Sequence, residues 1–399
     1  MQSNLSTSIQ SPRRSVLIAL YGATVALYWM SLYLYVPTLP TYTQSKTSDL
    51  ALVGVVLSMY GLWQAIIRLP LGIVSDWVGR RKPFIIGGFV VSAIASIVMG
   101  SSFSVNGILI GRAISGLAAG TWVPLVVVFN SLFPAKEAVR ATALLTLFGS
   151  IGRLFATAAT GWLNGLGGYS LAFYLAAGSA CLAIILLLPT PDTVRPPKPP
   201  SFQAIGKLFI RRDVILPTIL ATISQYANWA AIFGFIPLLA KELGAGDVLQ
   251  SVMVSANVAV VIVGNLLAAT LSKRIGERNL IYITFALLAL GLVSCALARS
   301  LAVLMVFQLA IGLSQGISAP VLMGLSIQRV DEAQRTTAMG IHQSIYAFGM
   351  FAGPAISGVL SKGMGIRPTL AVTGGACLLL GVVLTILLRN TRTDKVHQI

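Results

Sequence analysis

The sequence predicts an all-α membrane protein of twelve transmembrane helices in two six-helix, pseudo-symmetric halves. Three observations carry this expectation. The 399 residues are 56% hydrophobic and only 10% charged, whereas soluble proteins carry about 25% charged residues. The apolar residues fall into runs of about 20, the length a membrane crossing needs. The second half of the chain repeats polar landmarks of the first at a nearly constant offset.

In order, the expected spans are about 15–37, 49–72, 84–103, 107–133, 138–163, 168–189, 213–240, 247–272, 279–299, 301–327, 335–361 and 367–389, each an apolar run bounded by polar, Gly or Pro residues. The first run, Ser15 to Val36, is too long for a signal-peptide core and lacks a small-residue cleavage site after it, so it reads as span one. Between spans six and seven lies Pro189 to Asp213, with Pro-Thr-Pro and Arg-Pro-Pro-Lys-Pro-Pro. Such a segment is expected to be stiff and extended outside the bilayer. It divides the chain into a first half, 1–189, a cytoplasmic linker, 190–212, and a second half, 213–399.

The net charge of +17 reads as topology. Arg13, Arg14, Arg80, Arg81, Lys82, Lys136, Arg140, the linker cations, Lys273, Arg274, Arg278, Arg329, Arg335 and the C-terminal cluster all fall on one side of the span pattern. The other side has only Lys46, Lys241, Arg299, Lys362 and Arg367. Cytoplasmic loops carry the excess of Lys and Arg, so both termini and the linker are expected in the cytoplasm, with the protein multi-pass in the plasma (cell inner) membrane. No basic domain exists outside the bilayer to meet nucleic acid. Cys181, Cys295 and Cys377 each lie in an apolar run and read as buried free thiols, with no metal-ligand cluster. No GxSxG, HExxH or P-loop appears, which argues against an enzyme or an ATP-driven pump, and no cofactor is expected.

The repeat is specific. Arg112-x3-Gly116-x3-Gly120-x3-Pro124 in span four recurs as Gln308-x3-Gly312-x3-Gly316-x3-Pro320 in span ten. Glu137-x2-Arg140-x-Thr142-Ala143 recurs as Glu332-x2-Arg335-x-Thr337-Ala338. Between spans two and three stands Gly72-x3-Asp76-x2-Gly79-Arg80-Arg81-Lys82, and its counterpart is Ser272 to Arg278, with Gly276 for Gly79, Lys273 for Asp76 and Glu277 for Arg80. Gly79 permits a tight turn without a Cβ penalty. This loop resembles the motif between spans two and three of the major facilitator superfamily of secondary transporters. Pro37-x2-Pro40 ending span one, and Arg112 with Ser115 and Gly116, resemble the twelve-span drug:proton antiporter branch. Span five departs from that branch: Ala156-Thr157 stand where Gly-Pro is expected, and Gly349-x3-Gly353-Pro354 appears in span eleven instead.

The resemblance implies alternating access, with substrate near the midplane between the halves. It also implies that Asp76, with Gly72, Gly79 and Arg80, forms a latch meeting the start of span eleven, where a helix N-terminus favours negative charge. Glycines at this spacing serve equally well as helix-packing surface.

Charge inside hydrocarbon is expensive and points to function. Three cations are embedded, Arg68, Arg112 and Arg153, all in the first half, and no acid lies at comparable depth. Guanidinium binds carboxylate or phosphate in a fork, so this pattern favours an anionic or strongly hydrogen-bonding substrate, with Arg153 as its first contact. Arg112 serves substrate, proton transfer or backbone carbonyls. Arg68 either functions or snorkels toward the cytoplasm.

The family places spans one, four, seven and ten around the cavity, with two, five, eight and eleven beside them. Polar stripes fall on these spans: Tyr21, Tyr28 and Tyr35; Gln225, Asn228 and Trp229; Gln308 and Gln315; His342 and Tyr346. Each set shares one helix face. His342 is the embedded group that titrates near neutrality. With Asp76 it is the candidate for carrying any pH dependence.

Two readings share the expected fold. One is proton-coupled efflux of small amphipathic molecules, by antiport; the other is transport of an organic anion held by the embedded arginines. A non-transporting receptor and a channel are weaker readings, because striped cavity spans in two linked halves favour rocking. The expected partners are a small-molecule substrate, protons and the lipid bilayer, with the chain acting as a monomer.

Overall fold

A computed structural model of the chain describes residues 11–134, 137–192 and 202–388. Lys136, Arg195, Lys198, Arg389, Arg392 and Lys395 lie outside these residues. Among the described residues every regular element is helical.

Span one is Ser11–Tyr33, continued by a tight turn, Val36–Thr38, and a short helix, Leu39–Gln44; Pro37 and Pro40 sit where these segments start. Spans two and three are Leu50–Val78 and Lys82–Gly100. Span four runs Val105–Ala118, tightens to a 3₁₀ turn over Ala119–Thr121, and resumes as Trp122–Ser131. Pro124, with no N–H to give, accounts for the irregular turn before it.

Spans five and six form one run, Ala138–Leu187, broken at Gly167 and Gly168, where φ is −145° and 68°. Its apolar part, Arg140–Leu187, has 48 residues. At 1.5 Å per residue that is more than twice the ~30 Å hydrocarbon core, so it crosses twice. With this run divided, the eleven long apolar helices give twelve crossings. Span seven is Arg212–Ala230, a π-segment Ala231–Phe235, and Ile236–Glu242. Spans eight to twelve are Asp247–Ile275, Glu277–Leu297, Leu301–Gln328, Glu332–Met364 and Ile366–Ile386.

The duplicated glycines do matching work. Gly79 and Gly276 end spans two and eight at φ 71° and 87°, a conformation open to Gly at little cost. A Cβ on Gly116 would sit 2.7 Å from the Tyr60 carbonyl, and one on its counterpart Gly312 would sit 3.0 Å from the Asn257 carbonyl. Span four therefore lies backbone to backbone on span two, and span ten on span eight.

Two expectations are corrected. The linker is not extended throughout: Phe202–Phe209 is a short helix, and Leu208 is buried with Val214, Val330, Ala338 and Ile341 at the start of the second half. Cys295 and Cys377 are buried free thiols, but Cys181 is exposed on the outer surface of the bundle.

The halves touch at the face opposite the arginine-rich loops. There a Cβ on Gly54 would fall 2.3 Å from the Pro354 carbonyl, and one on Gly161 2.3 Å from the Asp247 carbonyl. Asp49 pairs with Lys362 at 2.9 Å. Thr41 donates to Gln250 at 3.2 Å and Ser255 to Thr157 at 2.9 Å. Toward the basic face the contact loosens: a Cβ on Gly340 would meet Leu69 only at 3.9 Å. The ion pairs Arg14–Glu137 and Arg81–Asp76 stay within the first half, and Arg211–Asp213 joins the end of the linker to the second half; none of them bridges the halves.

Candidate functional site

Where the halves part, a cavity of about 210 Å³ lies between spans one, two and five of the first half and seven, eight, ten and eleven of the second. Trp29, Tyr33, Tyr60, Trp229 and Phe233 give it aromatic walls. Arg68 and Arg153 line it, and among its described lining residues there is no carboxylate. Carboxamides line it too: Gln64 beside Arg68 on span two, and Gln225, Asn228, Asn257, Asn265 and Gln315 from the second half.

The two arginines are held differently. The Arg153 guanidinium lies 4.5 Å from the centroid of the Trp29 ring, a cation–π contact that orients it without satisfying its donors. Arg68 donates from Nη1 to the Tyr346 hydroxyl of span eleven at 2.9 Å, so it ties the halves together. The Nε of each finds no acceptor among the described residues, and the oxygens of Gln64 and Asn228 find no donor. Buried polar groups are normally paired, so the cavity is a surface prepared for a polar ligand.

Of the residues singled out in the sequence, Arg153, Gln225, Asn228, Trp229, Gln315 and Tyr346 meet in this cavity. Tyr21, Tyr28, Tyr35, Arg112, Gln308 and His342 do not line it. Tyr28 donates to the Ala119 carbonyl at 2.8 Å and stacks on Trp122, so it braces the kink in span four. Tyr21 and Tyr35 likewise face their own half, toward Thr190 and Phe173. Gln308 donates to the Met253 carbonyl at 2.7 Å, and Asn257 donates to the Gln308 carbonyl at 2.9 Å, so Gln308 joins spans eight and ten.

Arg112 is 1% exposed behind the cavity wall, with its guanidinium 4.3 Å from the Tyr60 ring centroid and 5.9 Å from that of Trp229. His342 is turned toward span seven, with Nδ1 3.0 Å from the Thr218 hydroxyl. That hydroxyl spends its hydrogen on the Val214 carbonyl at 2.6 Å, so Nδ1–H donates to it and the imidazole points away from the cavity.

Asp76 pairs with Arg81 of its own loop. Gly79 supplies the left-handed turn between them, Arg80 is exposed, and Gly72 packs near Val123 of span four.

Sequence reasoning missed Trp29, Tyr33, Tyr60, Gln64, Asn257, Phe233 and Asn265. The signal was there: Trp29/Tyr33, Tyr60/Gln64/Arg68 and Asn257/Val261/Asn265 each repeat at four-residue spacing, one face of a helix. Tyr28 and Trp29 differ by one residue and hence by about 100° around span one, enough to turn a stripe from the cavity into the bundle.

The description of the Major Facilitator Superfamily matches residues 22–223 and again 218–399. The chain belongs to this superfamily. It is thus an integral membrane protein of a transporter family and not an enzyme. It is 37% identical over 99 residues to the inner membrane transport protein YajR of Escherichia coli (strain K12), across 25% of this chain and 22% of that protein. It is 26% identical over 234 residues to the multidrug resistance protein MdtL of Klebsiella pneumoniae (strain 342), across 56% of this chain and 58% of that one. The chain thus spans well under two thirds of either relative. The crystal structure of a bacterial homolog of the human lysosomal transporter Spinster, inward-facing and unoccupied, superposes with a TM-score of 0.80 over 95% of this chain and 97% of that one, at 14% identity; this likeness is one of fold.

Proposed function

We propose that the chain is a secondary active transporter working by alternating access, and that its cavity binds a small organic anion through Arg153 and Arg68. One observation carries the choice of an anion: buried Arg68 and partly buried Arg153 line the cavity, each with a buried Nε that has no acceptor, and no carboxylate lines it among the described residues. An unpaired buried cation is strongly disfavoured, and a bound carboxylate or phosphate relieves it in the geometry guanidinium suits best. We take the arginine-rich face as the cytoplasmic one by its charge; with the opposite face sealed, an inward-facing state follows from that assignment. Residues 1–189 and 213–399 act as the rocking units and 190–212 as their linker, in a monomer.

Asp76, with Gly72, Gly79 and Arg80, serves as the latch of the alternate state. Its pairing with Arg81 inside one half fits a latch that is released. Tyr28, Arg112, Gln308 and His342 act from behind the cavity wall.

The test is flux into proteoliposomes under an imposed pH gradient, with a panel of organic anions and lipophilic cations. Anion flux is expected, and Arg153→Ala is expected to weaken anion binding roughly 30-fold or more, the effect of losing one partner of a buried charge pair. Flux of cations alone, untouched by Arg153→Ala, overturns the reading. A second reading, proton-coupled efflux of amphipathic molecules, is supported by the aromatic walls and by the name of the MdtL relative. It expects cation flux driven by the pH gradient in the same assay, with loss of pH dependence in Asp76→Asn or His342→Gln.

A further inference from the structure

The cavity is unsatisfied in two opposite senses. Arg68 Nε and Arg153 Nε lack acceptors, while Gln64 Oε1 and Asn228 Oδ1 lack donors. Gln64, Arg68 and Asn228 are only 2%, 5% and 6% exposed, so bulk water does not serve them. Gln64 and Arg68 share a face of span two and could in principle relieve each other, yet Arg68 Nη1 reaches across to Tyr346 of the other half. A purely apolar carboxylate answers the two arginines and leaves both carboxamide oxygens bare. The aromatic walls favour a flat molecule, since stacked and edge-on rings add to the burial itself. A cavity of about 210 Å³ is smaller than the roughly 300–1,000 Å³ that drug-sized ligands occupy, so the molecule is small.

We infer that the cargo is a small planar anion carrying its own hydroxyl or N–H donors, and that its anionic group takes Arg68 away from the Tyr346 hydroxyl. This rests on the anion reading of the cavity and adds both the donor groups and the displacement. A carboxylate takes guanidinium in two parallel charge-assisted bonds, where the Tyr346 hydroxyl offers one neutral acceptor, so the exchange at Arg68 runs toward the ligand. Tyr346 belongs to span eleven and Arg68 to span two, in opposite halves. Cargo binding therefore cuts the polar tie between the halves on the basic side of the cavity. The ligand's donors go to Gln64 Oε1 in the first half and Asn228 Oδ1 in the second, so the same molecule replaces the tie it breaks.

The test is calorimetric binding to the purified full-length chain with three flat probes: benzoate, 3,4-dihydroxybenzoate and benzamide. The dihydroxy anion is expected to bind roughly five- to tenfold tighter than benzoate, the worth of one to two net hydrogen bonds, and benzamide weaker than both. Tyr346→Phe, which removes the competing acceptor, is expected to tighten both anions several-fold, roughly in line with one lost competing bond. Gln64→Leu and Asn228→Leu are expected to narrow the ratio of dihydroxybenzoate to benzoate affinity. Equal binding of the two anions by the unmodified protein overturns the inference without needing any variant to fold. Weaker anion binding by a monodisperse Tyr346→Phe overturns the displacement. If benzamide binds and neither anion does, the anion reading itself falls, an outcome distinct from the other two.

Discussion

The seal at the face opposite the arginine-rich loops can be opened by removing one amide. Asn164, 9% exposed at the end of span five, donates to Thr38 Oγ1 and to Asp247 Oδ2, each at 2.9 Å. Tyr169 donates to the other carboxylate oxygen at 3.3 Å. Thr38 belongs to the same half as Asn164, so within this cluster it is the bonds to Asp247, at the start of span eight, that resist separation of the halves. Asn164→Ala removes one of them and leaves the backbone contact at Gly161 in place. A hydrogen bond to a charged group contributes about 1.5–3 kcal/mol. Asp247 is partly exposed, so solvent screening brings the expected cost down to about 1–2 kcal/mol.

The population open at this face should therefore rise roughly 5- to 30-fold. Ser251 reports it. With Asp247 and Ser255 it sits at four-residue spacing on span eight, is 1% exposed, and its hydroxyl makes no hydrogen bond whose loss would disturb the seal. In a background with Cys181, Cys295 and Cys377 replaced, Ser251→Cys is reached by a maleimide only when the halves part. Asn164→Ala should speed its modification 5- to 30-fold, roughly the population shift itself. An unchanged rate in a folded variant refutes the assignment of Asp247 to the seal.

Other outcomes follow from the same geometry. Lys362 and the Ala51 amide hold the Asp49 carboxyl below its ordinary value, so its ion pair is fully present above about pH 3.9 and is lost only as pH falls through the lowered value. Ser251→Cys modification should not change through Asp49 between about pH 8 and pH 5, whereas Asp49→Asn should speed it at every pH. A rise on acidification that vanishes in Asp49→Asn counts against this. Asp76→Asn is expected to lower turnover in flux assays while leaving affinity within a few fold. Large affinity loss with normal turnover would falsify the latch. Gly61→Ala places a Cβ 2.4 Å from the Phe351 amide and should lower the melting temperature. Gly87→Ala, with nothing within 4 Å, should leave it unchanged or raise it, since Ala outscores Gly inside helices by about 1 kcal/mol.

The twelve spans, the duplication and the turn glycines were legible because each is dictated by the bilayer or the backbone. A span must be long and apolar, and a left-handed turn must find Gly at 79 and 276. Embedded arginines were legible for the same reason, as Arg68 and Arg153 line the cavity. The facing of each stripe was not. Tyr28 and Trp29 are equally aromatic neighbours, and what turns one inward is the Ala119 carbonyl in the 3₁₀ turn of span four, a contact 91 residues away. His342 and Gln308 were drawn away from the cavity by partners on adjacent helices, Thr218 and Met253. Side-chain partners at that range leave no periodic trace in a single sequence.

Duplication also explains why the fold is symmetric while the chemistry is not. The glycines that set helix approach and turn shape act through the backbone, so both copies need them, and they persist at 79 and 276 and at 116 and 312. Charge at the same places carries no such constraint. Asp76 faces Lys273 in the alignment of the halves, Arg80 faces Glu277, and Arg112 faces Gln308. The embedded cations Arg68, Arg112 and Arg153 all lie in one half, and five of the cavity's six carboxamides, Asn228 among them, come from the other. Two halves of one backbone plan thus present unlike surfaces to one ligand: a cationic wall and a hydrogen-bonding wall. On the anion reading proposed above, such a cavity orients an asymmetric cargo with its anionic end toward the first half. Because every contact of that kind spans the seam between two rocking bodies, affinity and conformational equilibrium are read by the same side chains. A ligand can shift that equilibrium only by as much as its affinities for the two states differ, and in this cavity the difference must arise at Arg68, whose partner lies across the seam.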